Sequence, residues 1–181
     1  PTTDPKRSGG PGSLVSWDSL GNQGRQFIGG GPSPGDLRRF GGPGEQTPIR
    51  VYIGLEAAES SRERAALAVR ELQRTGGFDR AVLCLIVTTG TGWVDERAAT
   101  PLEYLYGGDT AIVATQYSYL PSWISFLADQ RKSMDSGRML VHTIADRWRQ
   151  LPVGNRPKLV LYGESLGAMA GQAAFDWLPD I

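Results

Sequence analysis

Gly163-Glu164-Ser165-Leu166-Gly167 stands between an apolar pentapeptide, Lys158–Tyr162 (KLVLY), and an Ala/Gly-rich run, Ala168–Leu178. A serine in G-x-S-x-G spacing, with a strand before it and a helix after it, is the signature of a nucleophile elbow. The chemistry it serves is covalent catalysis, in which the serine hydroxyl attacks a carbonyl carbon and one difficult hydrolysis becomes two easier steps. The spacing has a physical basis. The serine must sit on a tight, strained turn that lifts its hydroxyl above the sheet, and Gly163 and Gly167 let backbone and helix approach where a Cβ would clash. The helix N-terminus then sets a positive dipole end and the backbone N–H of Leu166 beside a developing oxyanion. In a chain with 24 glycines the five-residue pattern alone is weak, so the flanking strand and helix carry the assignment of Ser165 as nucleophile.

A second loop, Thr89-Gly90-Thr91-Gly92-Trp93, follows the continuous apolar run Ala81–Thr88 (AVLCLIVT). Its glycines leave backbone N–H groups accessible, and Thr89, Gly90 and Thr91 are expected to supply the second oxyanion donor; a plain turn is the other reading. A dinucleotide loop would need a third glycine, and no lysine follows to make a P-loop. Tyr117, Tyr119 and Trp123, after the run Thr110–Thr115 (TAIVAT), reach the same edge, and with Trp93 they are candidates for the lining of an acyl or lipid pocket. Core and cap packing is the alternative for these rings. Asp95 and Asp109 lie near strand ends and read as turn and cap residues.

The serine needs a base. His142 is the only histidine. It stands four residues before Asp146, with Arg138 and Arg149 on the same polar face, which reads as a solvated surface histidine with a local charge partner. Its helix leads into the amino end of the KLVLY strand, whereas the elbow lies at the other end, about 16 Å away for five residues at ~3.3 Å each. Sixteen residues follow Ser165 and none is histidine. The acid and histidine are therefore expected on sequence beyond Ile181, and the 181-residue chain by itself is expected to show negligible esterase activity.

The elements that must hold these loops follow from hydrophobic pattern. Residues 1–47 hold 12 of the 24 glycines and 6 of the 12 prolines, so this stretch is expected to be an irregular leader. Leu14, Val15, Trp17, Leu20, Phe27 and Ile28 are interleaved with the glycines, so it is expected to pack partly on the domain, with residues 1–12 loose. From Pro48 to Ile181 strands and helices alternate. Ile49–Leu55 reads as a strand. Ser60 and Glu63 form a capping box ahead of the helix-forming run Ala65–Leu72, and Gly76-Gly77 ends it. Ala81–Thr88 and Thr110–Thr115 read as buried strands, with Cys84 an inert small hydrophobe in the first. Trp123–Leu127 begins a helical region, and Leu140, Ile144, Trp148 and Leu151 mark one helical face. The alternation predicts an α/β fold, a mostly parallel sheet flanked by helices, with ligands outside the carboxyl ends of its strands. It has few strands for such a domain and reads as the N-terminal part of a longer one.

Composition narrows the classes. Nineteen basic and nineteen acidic residues cancel, which argues against a general nucleic-acid binder. No apolar run reaches the ~18–20 residues of a membrane span. A single cysteine excludes an internal disulfide, and no ligand set for a metal, flavin or nicotinamide is visible, so no cofactor is expected.

From about Ser13 to the end, the chain resembles an actinobacterial α/β-hydrolase family whose members carry a membrane region before a hydrolase-like domain. The stretches that carry the resemblance are Ser16–Phe27 (SWDSLGNQGRQF), Pro48–Ser60 (PIRVYIGLEAAES), Arg74–Arg80 (RTGGFDR), Thr89–Asp95 (TGTGWVD), Glu103–Ser125 and Arg156–Gly167 (RPKLVLYGESLG). The resemblance implies an α/β-hydrolase-like, membrane-tethered domain with Ser165 as nucleophile, the tether lying in sequence this chain does not contain. Hydrolysis of a small-molecule or lipid ester or thioester is the expected activity. A non-catalytic domain of the same fold, binding a lipid or protein partner at the cell envelope, is the alternative.

Overall fold

The computed structural model describes residues 1–41, 46–88, 90–119, 130–163 and 168. The expected α/β alternation is present. Four strands, β1 (Ile49–Ile53), β2 (Val82–Val87), β3 (Thr110–Thr115) and β4 (Lys158–Gly163), form one sheet in the order β1-β3-β2-β4, every neighbouring pair parallel. Helix α3 (Ser61–Thr75) joins β1 to β2, α4 (Glu96–Leu105) joins β2 to β3, and α5 (Gln130–Arg149) precedes β4. Two moves across this sheet run in one direction and the middle one runs back. Right-handed crossovers therefore put α3 and α5 on one face and α4 on the other. The packing agrees: α3 lies against α5, and α4 against the N-terminal helix α2 (Pro34–Gly41).

Local sequence explains the boundaries. The Ser60–Glu63 capping box forms, and Gly76 stops α3 in the left-handed region at φ 76°. The first strand ends at Ile53, two residues short of the expected Leu55, because Leu55–Ala57 turns as a short 3₁₀ segment. Asp95 caps α4 by accepting from the Arg97 N–H, and Asp109 accepts from the Ala81 N–H, the turn and cap roles expected of them. Helix α4 itself was not anticipated, since Pro101 lies inside it and interrupts the usual helical composition. Strands β1 and β2 are buried throughout and β3 nearly so. Cys84 is buried in β2, and burial pushes its thiol up to about 12, consistent with an inert side chain. On α5, Leu140 and Ile144 face the core as expected, and the half-buried Trp148 donates to the Pro157 carbonyl.

The N-terminal segment departs from the irregular leader expected of it. It forms α1 (Gly21–Gly29) and α2, with Leu20, Phe27, Ile28 and Leu37 buried. Nor are residues 1–12 loose. Arg7 bridges Arg50 beside β1 and donates to the carbonyls of Ile28 and Gly30, and Ser8 is fully buried. Glycine count misled because the glycines occupy special places rather than diluting a linker. Gly21 and Gly29 end α1, and Gly24 sits where a Cβ would come 2.4 Å from the Tyr52 ring.

Two buried polar clusters fasten this segment. Arg50, fully buried on β1, pairs with Glu103 at 2.7 Å and Glu96 at 2.7 Å on α4, donates to the Phe27 carbonyl at 2.6 Å and lies over the Phe27 ring. Burial opposes its charge, but Glu103 and Glu96 outweigh that and hold the guanidinium above its ordinary pKa. On α3 the buried Glu71 accepts from the Leu14 N–H, the hydroxyls of Ser8 and Ser13, and Arg74. Burial raises its pKa, yet Arg74 and the Leu14 N–H prevail and leave it below the usual carboxylate value.

Candidate functional site

The two loops singled out from sequence leave neighbouring strands at one level. β2 pairs with β4 in parallel, and the last pair in register is Val87 with Gly163. The carboxyl ends of the strands that precede the Thr89–Trp93 segment and Glu164–Gly167 in sequence are therefore side by side, at the edge where ligands bind in such sheets. Glu164, Ser165, Leu166 and Gly167 lie outside the described residues, as do Thr89 and Trp123; Gly163, the first glycine of the motif, ends β4. Among the described residues β4 is at the end of the sheet: it has β2 on one side, and its side chains are partly exposed where β2's are buried.

The glycine loop after β2 is held from the other side. The Ser118 N–H, just past β3, donates to the Gly90 carbonyl at 3.1 Å. The Tyr52 hydroxyl, from β1, donates to the Gly92 carbonyl at 2.8 Å. Gly92 has φ 83°, and a Cβ there would stand 2.1 Å from the Tyr52 oxygen and 2.9 Å from Gln116, so only glycine fits. Gln116 in turn links β1 to the segment that holds the loop. Its N–H reaches the Ile53 carbonyl, and its side-chain amide reaches the Ser118 carbonyl at 2.9 Å. Thr88 donates to the Thr115 carbonyl and ties the start of the loop to β3. Burial pushes the Tyr52 phenol well above the ordinary tyrosine range, so it stays a proton donor.

Of the aromatic candidates, Tyr117 and Tyr119 come together and Trp93 does not join them. Tyr117 is buried and Tyr119 exposed, and both line an open cavity of about 870 Å³ at the carboxyl ends of β1 and β3. Glu56, Arg64 and Ser118 contribute to its wall. Tyr119 donates to Glu56 at 2.8 Å, and Arg64 donates to the Ala58 carbonyl and to the Ser61 hydroxyl. Trp93 is half-exposed on the glycine loop.

His142 shares a flank of α5 with Asp135, Arg138 and Met139, while Leu140, Val141, Ile144 and Ala145 make the buried face. The local charge partner expected for it is otherwise engaged: Asp146 pairs with Arg149 at 3.0 Å. The histidine is also half-buried rather than fully solvated.

Tyr52, Gln116 and Ser118 are the residues that sequence reasoning missed. Tyr52 was legible only as one apolar position of IRVYI, because its partner lies 40 residues away. Among the described residues no helix is long and apolar enough to cross a membrane.

Comparison with known proteins adds the family. A model described as alpha/beta-hydrolase family matches residues 49–181, and one described as alpha/beta-hydrolase family N-terminus matches residues 1–32. Searches of curated proteins and of solved structures found no significant match.

Proposed function

The chain belongs to the alpha/beta-hydrolase family, and on that premise we propose that it is a serine hydrolase of esters or thioesters with Ser165 as its nucleophile. The observation that carries this reading is the pairing of Val87 with Gly163, from which the glycine-rich segment after β2 and the G-x-S-x-G motif leave adjacent strand ends. A nucleophile and an oxyanion-binding loop must share such an edge, because the attacked carbon has to meet both within about 3 Å.

In this reading the Ser165 oxygen forms a bond to the carbonyl carbon while the carbonyl π pair moves onto its oxygen. The serine proton passes to a general base outside the described residues, since His142 lies on the outward flank of α5. The N–H groups of Leu166 and Thr91 hold the oxyanion. Collapse re-forms the carbonyl and expels the alcohol or thiol, which takes the proton, and water then releases the acid from acyl-Ser165. The cavity beside Tyr117 and Tyr119 begins about 10 Å from the end of β4, two strand spacings of ~4.8 Å. It would receive the far part of an extended acyl or alcohol group.

Turnover of p-nitrophenyl esters of graded acyl length by the full-length protein tests this. Ser165→Ala should lower kcat by at least about 10³-fold, as removal of a serine nucleophile does. Undiminished turnover by that variant would overturn the reading.

A further inference from the structure

We propose that Tyr52 is a positioning residue for the oxyanion-binding loop, its phenol holding Gly92 so that backbone N–H groups of the loop face the nucleophile turn; this rests on the serine-hydrolase reading above. Two carbonyls of the loop, two residues apart, are both taken up on the β1–β3 side. Gly90 accepts from Ser118 and Gly92 accepts from Tyr52. In a trans peptide the N–H points opposite to the carbonyl of the same unit. Fixing those carbonyls therefore turns the N–H groups of Thr91 and Trp93 away from β1 and β3. The sheet order β1-β3-β2-β4 has β4, and with it Gly163, on that other side. Trp93 thereby joins Thr91 as a backbone donor, a role its side chain does not suggest.

The phenol is itself pinned. Tyr52 is fully buried, and Gly24 of α1 approaches its ring so closely that a Cβ there would lie 2.4 Å from it. The Phe27 ring stands 6.3 Å away, tilted by 49°. A buried tyrosine hydroxyl needs an acceptor. Here the acceptor is a loop carbonyl rather than a core group, so the ring transmits the seating of the N-terminal segment to the loop. A chain of contacts runs from α1 through Tyr52 to Gly92.

Tyr52→Phe removes one oxygen atom and keeps the ring. In the full-length protein it should lower kcat for a p-nitrophenyl ester about tenfold, less than the loss of a direct oxyanion donor, with KM changed by less than twofold. Inhibition by an aryl trifluoromethyl ketone, which forms an oxyanion on the serine, should weaken by the same factor. Gly24→Ala, which pushes the ring from the α1 side, should shift kcat in the same direction with KM again unchanged. Wild-type kcat and ketone affinity in Tyr52→Phe, whatever happens to its melting temperature, would overturn the assignment. Wild-type kcat in a folded Gly24→Ala would overturn the link through α1. The Ser165→Ala control separates the two levels: turnover lost there but intact in Tyr52→Phe rejects only the tyrosine, and turnover retained in Ser165→Ala rejects the serine-hydrolase reading beneath it.

Discussion

The two faces of the sheet are closed by different chemistry. Under α3 and α5 the sheet is covered by aliphatic side chains, with Ala68, Leu72, Leu140 and Ile144 all at 1% exposure or less. Polar groups of these helices pair with each other, Ser61 with Ser136, or with the N-terminal segment, Glu71 with Ser8, Ser13 and Leu14. Under α1 and α4 the sheet presents Arg50 and Tyr52, and the covering elements answer with Glu96, Glu103 and the Phe27 carbonyl. Aliphatic burial is strong but non-directional, and many arrangements of similar volume satisfy it. Hydrogen bonds and ion pairs require particular distances and angles. A face that has to hold one loop in one orientation gains from the second kind of contact, and the glycine loop is tied to that face through Tyr52.

The polar face is weakest against substitution at Arg50. Arg50→Met leaves Glu103 buried without its partner and should cost about 3–5 kcal/mol. Adding Glu103→Met should recover much of that loss, since apolar replacement of a buried pair is often neutral. Denaturant unfolding followed by circular dichroism measures both. A loss below 1 kcal/mol in the single variant would show that the polar face is not the rigid one. On the aliphatic face, Ile144→Val should cost only about 1 kcal/mol, the ordinary effect of one buried methyl group. The same titration checks it, and ester turnover should be unchanged.

The smallest effect is local and depends on pH. Glu71 holds residues 8–14 through a carboxylate whose folded pKa is depressed, chiefly by Arg74 and the Leu14 N–H acting against burial. A depressed acid contributes stability that is complete above its unfolded pKa of about 4.5 and is lost as pH falls through the folded value. Between pH 5 and 7 the N-terminal segment should therefore resist proteolysis equally. Below about pH 4.5 it should loosen, whereas Glu71→Gln should be cut readily at all these values. Equal protection of the variant at pH 7 would remove Glu71 from the account.

The parts that were legible in sequence are those set by local pattern. Ser60 with Glu63, Gly76, the apolar runs of β2 and β3 and the Leu140–Ile144 face each depend on residues within a turn or two of one another. The missed parts depend on distant partners. α1 and α2 are glycine-rich, and their stability comes from docking, α1 on Arg50 and Tyr52 and α2 on α4, rather than from helix propensity. α4 contains Pro101, and the two glutamates that anchor it to Arg50 lie 46 and 53 residues from it in the sequence. The loop after β2 was a candidate from its glycines, but the contacts that hold its carbonyls, from Ser118 and Tyr52, come from residues distant in the sequence.

Covalent labelling tests, without a known substrate, whether Ser165 is an activated nucleophile. The full-length protein is incubated with a fluorophosphonate, and the adduct is mapped by mass spectrometry of the peptides. One phosphonyl group on Ser165, absent from Ser165→Ala and from protein unfolded before exposure, is the predicted result. A folded protein that takes up no label, or labels equally on another residue when Ser165 is replaced, would contradict it.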